Sequence, residues 1–159
     1  MTFIRLKRVG KERYAYLVDN VWTSKGPRQQ VKRYLGKYLE LPDAPRGSLI
    51  HGALPTISLL VGSELRGRGF TEKLSNTELN IRINLKTCTA RQGTKNIVLG
   101  INGGFLCGYT LRKLIHAVPL VEVVQGYSFA RAFSDAGIRV SREEFVVLYR
   151  RLQTKPTAA

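Results

Sequence analysis

Acidic residues, cysteine and long apolar runs are scarce in this sequence, and each shortage removes a class of function. Eleven Asp and Glu stand against 26 Lys and Arg, leaving a formal net charge of +15 and a pI near 10.3. Such an excess favours a polyanionic partner, most often nucleic acid and less often an anionic membrane surface. No apolar run approaches the roughly 18 residues of a membrane span, and no charged-then-apolar leader opens the chain. A cytoplasmic protein with neither span nor signal peptide is therefore expected. Cys88 and Cys107 are the only cysteines and form no Cys-x-x-Cys arrangement. They fit buried free thiols in a reducing compartment, with a disulfide as the alternative. Adding His51 and His116 makes four soft ligands, but gaps of 37, 19 and 9 positions match no zinc pattern. No metal and no cofactor is expected.

The charge that is present is unevenly placed. Between Met1 and Tyr38, ten basic residues (Arg5, Lys7, Arg8, Lys11, Arg13, Lys25, Arg28, Lys32, Arg33 and Lys37) meet only Glu12 and Asp19, a net of +8. They alternate with Phe3, Ile4, Leu6, Tyr14, Tyr16, Leu17, Val18, Trp22, Val31, Tyr34 and Leu35, a pattern of strands rather than of a disordered basic tail. Gly10 suits a hairpin turn between strands at Thr2 to Arg8 and Arg13 to Trp22. Thr23-Ser24-Lys25-Gly26-Pro27 is a second turn, and Arg28 to Leu35 a third strand. Strict alternation would put Gln29, Val31, Arg33 and Leu35 on one face and Arg28, Gln30, Lys32 and Tyr34 on the other. This stretch is the expected nucleic-acid-binding module, with the ten cations facing phosphates and Tyr34, joined by Tyr14 or Tyr16, stacking on a base or sugar. The plainer reading, charged edge strands that resist aggregation, needs far less charge.

Residues 39–48, LELPDAPRGS, hold two prolines and a glycine and are read as a linker. Residues 49–153 then form a scaffold with an expected αββααα order, and 154–159 a frayed tail. Ile57, Leu60, Val61, Glu64 and Leu65 recur at helical spacing up to Arg66-Gly67-Arg68-Gly69, where glycines cap and arginines complement the helix dipole. A short Arg-Gly contact with nucleic acid is the alternative there. Thr77 to Thr87 alternates as a half-buried strand, followed by a loop carrying Arg91, Gln92 and Gly93, then an antiparallel return at Lys95 to Ile101. Lys86, Arg91 and Lys95 would gather at one hairpin end as a secondary nucleic-acid contact. Asn102-Gly103-Gly104 reads as a tight turn before the next helix, because neither phosphate-loop pattern is met. Helices are expected at Tyr109 to Ala117, Tyr127 to Ala136 and Arg142 to Leu152. Gly137 fits a cap, and Ser141 with Glu144 a capping box. The last two helices resemble a helix-turn-helix, but Glu143 and Glu144 would meet the polyanion.

The segments FIRLKRVGKERYAYLV and GPRQQVKRYLGKY resemble the N-terminal segment of certain insertion-sequence transposases. With GFLCGYTLRKLI and FARAFSDAGIRVSREEFVVLYRRL added, the chain resembles over nearly its full length a family of small uncharacterised archaeal proteins, a likeness that implies no activity. The transposase resemblance covers the first quarter and implies a DNA-targeting arm. No catalytic residue carries over, since Asp19, Asp43 and Asp135 are the only aspartates and the length leaves no room for a separate nuclease core. The expectation is an α+β, noncatalytic RNA-binding protein, ribosome-associated, with a DNA-binding relative of transposase arms as the alternative. No enzyme is expected, because no paired carboxylates, nucleophile with base, or metal cluster occurs at a recognisable spacing.

Overall fold

Gly10, at φ +63°, closes the first hairpin, and the strands on either side pair residue for residue from Thr2–Asp19 to Val9–Glu12. The computed structural model describes residues 2–47, 54–116 and 123–154. The elements run β1 (Thr2–Val9), β2 (Glu12–Thr23), β3 (Gly26–Glu40), α1 (Ile57–Arg66), β4 (Ser75–Asn76), β5 (Ile81–Asn84), β6 (Thr89–Gln92), β7 (Lys95–Ile101), β8 (Gly104–Leu106), α2 (Gly108–Ile115), α3 (Val123–Ala136) and α4 (Arg142–Thr154). The fold class is α+β. Ser48, His51, Ala117, Pro119 and the tail after Thr154 lie outside the described residues.

One sheet joins both halves of the chain, in the order β1-β2-β3-β7-β6-β5-β4, with β8 also paired to β7. β3 and β7 run parallel from Lys37–Ile97 to Glu40–Gly100, so the chain between them, including α1, forms the crossover that parallel pairing requires. The expected boundary at Tyr38 thus falls inside β3. Leu39 packs on the main core, and Leu41 is buried there with its N–H bonded to the Gly100 carbonyl. Two leucines outweigh the prolines that follow them. Gly36, buried at φ +139°, marks where β3 meets β7, because a Cβ there would overlap the Asn96 carbonyl oxygen.

Among the described residues, the second half holds five strands rather than two. Thr77 to Asn80 is a turn, with Asn80 at φ +54°, and Asn84 Oδ1 ends β5 by accepting from the Lys86 and Thr87 N–H groups. The expected loop at Arg91 and Gln92 is β6, which lies between β5 and β7. Asn102 and Gly103, at φ +49° and +75°, form a two-residue turn into β8, not directly into a helix.

The sides of β7 serve different cores. Ile97, Leu99 and Ile101 join a cluster of twenty-one buried residues with α1, α2, α3 and α4, including Leu60, Leu65, Leu111, Leu114, Phe129, Phe133 and Leu148. Phe70, 5% exposed, anchors the same cluster after α1. Val98 joins a smaller cluster, among the described residues, with Ala15, Leu17, Leu35 and Cys107, flanked by Ile4, Leu6, Tyr38, Phe105 and Tyr109. At about 1.5–3 kcal/mol per large apolar side chain buried, most of the stability lies in the first cluster.

Glu64 ties the helical layer together. Its side chain is fully buried; Oε1 accepts from the Arg139 N–H and Nε, and Oε2 from Arg68 Nη1, Asn102 Nδ2 and Arg139 Nη2, all at 2.8–3.1 Å. Burial raises its pKa, but the bonds from Arg139, Asn102 and Arg68 outweigh it and hold the carboxyl below its ordinary value. Ser141 and Glu144 form the expected capping box, and the same carboxylate takes a bidentate contact from Arg46 at 2.8 Å. Arg68 therefore turns inward, away from an Arg-Gly contact surface.

Candidate nucleic-acid interface

Pairing partners decide which cations of the N-terminal sheet act together. Directly opposed residues share a face. Tyr14, Tyr16 and Val18 pair with Lys7, Arg5 and Phe3 of β1, and with Lys37, Tyr34 and Val31 of β3. Ala15 and Leu17 pair with Leu6 and Ile4 on the opposite, core-forming face. The register of β2 on β3 shifts between Ala15 and Tyr16 and again between Leu17 and Val18. These irregularities break the strict alternation. Arg33 opposes Leu17 on the inner face while Val31 opposes Val18 on the outer one, so two residues expected together are separated.

The outer face therefore gathers Arg5, Lys7, Lys37, Tyr14, Tyr16 and Tyr34. The Tyr34 ring lies 5.2 Å from Tyr16 and 6.3 Å from Tyr14, and Tyr34 is 53% exposed. Burial against its neighbours, then the Tyr16 and Tyr14 phenols, push its pKa up, so it meets a ligand as a neutral hydroxyl donor. Arg5 Nη1 donates to Gln29 Oε1, holding the guanidinium along this face. Lys37 is paired with Glu12 at 3.1 Å.

The remaining cations point elsewhere. Arg13 bonds Glu40 at 2.9 Å and lies 4.6 Å over the Tyr38 ring, on the inner side. Arg8 Nε donates to the Gly10 carbonyl beside the first turn, where Lys11 also sits. β2 and β3 continue beyond the end of β1 as a two-stranded ribbon, since β1 covers β2 only as far as Asp19. Lys25 lies in its tip, Arg28 opposes Val21, and Trp22, 84% exposed, opposes Pro27. Lys32 is exposed and donates to Gln30. Of the ten cations, Arg13 and Lys37 form ion pairs with Glu40 and Glu12.

Lys86, Arg91 and Lys95 do not meet at one hairpin end. Lys86 follows β5 and Lys95 opens β7, at opposite ends of β6, because β6 is a strand and not a loop. Arg91 instead shares a cleft of about 200 Å³ with Arg33 of β3 and Arg112 of α2. Nothing in the spacing of 33, 91 and 112 foretold this meeting. It depends on α2 covering the inner face.

Cys88 and Cys107 are free and buried. Among the described residues, no three His, Cys, Asp or Glu side chains are grouped to hold a metal, and no helix is long and apolar enough to cross a membrane. Comparison with known proteins finds no matching family model, no matching curated protein and no matching solved structure.

Proposed function

We propose that this is a noncatalytic RNA-binding protein, ribosome-associated and cytoplasmic, that takes single-stranded RNA on the outer face of β1–β3. The observation that carries this reading is three tyrosine rings, at centroid distances of 5.2 and 6.3 Å, on a sheet face lined by Arg5 and Lys7. Exposed bases stack on aromatic rings of a sheet while cations beside them neutralise the backbone. The larger core and its Glu64 network serve as the rigid support.

A second reading, DNA binding related to a transposase targeting arm, is favoured by the ribbon beyond β1. A two-stranded ribbon fits a major groove, and its tip carries Lys25, Arg28 and Trp22. Gradient sedimentation at low and about 1 M salt, with and without ribonuclease, separates the two, because phosphate-driven binding responds to salt and only the RNA complex responds to ribonuclease. Comigration with a ribosomal subunit, abolished by salt or by ribonuclease, is the expected result. Slow sedimentation indifferent to ribonuclease would overturn the RNA reading.

A further inference from the structure

The cleft on the inner side of the sheet gathers a charge of its own. Arg33, Arg91 and Arg112 reach it from β3, β6 and α2, and none of its lining residues is an aspartate or glutamate. Three like charges around one concavity repel one another, and an anion between them relieves that repulsion. Two of the three are already oriented. The Arg33 guanidinium lies 5.7 Å over the Tyr109 ring, and Arg91 Nε donates to Asn96 Oδ1 at 3.4 Å. Guanidinium groups fixed in this way keep their terminal N–H groups for paired bonds to phosphate oxygens. The cleft is smaller than the roughly 300 Å³ at which sites for drug-sized ligands begin, so it takes a phosphate with little more than a sugar attached.

We propose that the Arg33–Arg91–Arg112 cleft is a phosphate-binding site, separate from Arg5 and Lys7 of the outer face although Tyr34 lines both. The phosphate is either free or the terminal group of a nucleic-acid strand, and only the second source rests on the RNA reading.

Two measurements on the full chain test it. The first is thermal unfolding in inorganic phosphate against chloride at equal ionic strength. A saturable rise in Tm is expected for the wild type and none for R91Q/R112Q, whose two side chains are exposed and whose unliganded Tm should match the wild type. The second is binding of one short oligonucleotide with a 5′-phosphate, a 3′-phosphate or hydroxyl ends. If the source is a strand end, one phosphorylated form binds about tenfold tighter, as one added charge-assisted hydrogen bond would give, and R91Q/R112Q loses that preference while still binding the hydroxyl form like the wild type. A Tm response without an end preference assigns the site to free phosphate. Loss of all oligonucleotide binding with the phosphate response intact would sink the RNA reading and leave the cleft standing. No saturable phosphate response in the wild type and no end preference, or responses unchanged in R91Q/R112Q, would overturn the proposal.

Discussion

Arginine does opposite work in the two halves of this molecule. In the N-terminal sheet Arg5, Arg8, Arg28 and Arg33 are exposed and meet no carboxylate among the described residues. Around the helices, Arg46, Arg68 and Arg139 are bound to Glu144 and Glu64 at 2.8–2.9 Å, and Arg68 is buried. The first set contributes little to stability and leaves its charge available. The second set stabilises, its charge spent on those carboxylates. Basic composition alone does not separate them; the nearest carboxylate does.

Removing that carboxylate tests the comparison most severely. Glu64→Ala leaves Arg68 buried without its counter-charge and should destabilise the protein by about 3–5 kcal/mol in urea unfolding. Reversing Arg5 or Lys7, on an exposed face, should move the same curve by no more than about 0.5 kcal/mol.

Acid probes the same division by titration. Glu64 and Glu144 are both held below their ordinary value of 4.5, Glu144 chiefly by the Arg46 contact. A carboxylate with a depressed folded pKa gives its full stabilisation above the unfolded value, and loses it as pH falls through the folded one. The urea midpoint should therefore be flat, as far as these two groups go, above about pH 5.5 and fall below about pH 4.5. Arg46→Ala should remove part of that fall, and a midpoint indifferent to acid would contradict the assignment.

The stacking surface is probed by Tyr34→Ala. If one base stacks there, single-stranded RNA should bind about 1–3 kcal/mol more weakly in fluorescence anisotropy. Unfolding should barely change, since Tyr34 is more than half exposed.

Local chemistry was the legible part of this chain. Gly10 turned where a positive φ was needed, and Ser141 and Glu144 capped α4. Long-range pairing was not. β6 and β8 are four and three residues long, too short for periodicity to register, although Asn102-Gly103 between apolar runs is a hairpin signal that could have found β8. Leu39 and Leu41 looked like linker because Pro42 and Pro45 dominate the local composition, and only pairing with β7 reveals their burial. At the interface, the tyrosine and cation content was readable. The sorting of Arg33 from Val31 was not, because one extra residue reverses every side chain beyond it. Glu64 sat unnoticed in a helical stripe, since its partners Asn102 and Arg139 lie 38 and 75 positions away.

The central claim is that phosphates lie along the outer face of β1–β3. It is tested most directly by the salt dependence of single-stranded RNA binding, measured for the wild type and for R5E/K7E. Each phosphate neutralised on a single strand adds about 0.7 to the magnitude of the slope of log K against log salt. The double reversal should therefore weaken binding and flatten the slope by about 1.4, two contacts' worth, with the fold intact. An unchanged slope would contradict the account.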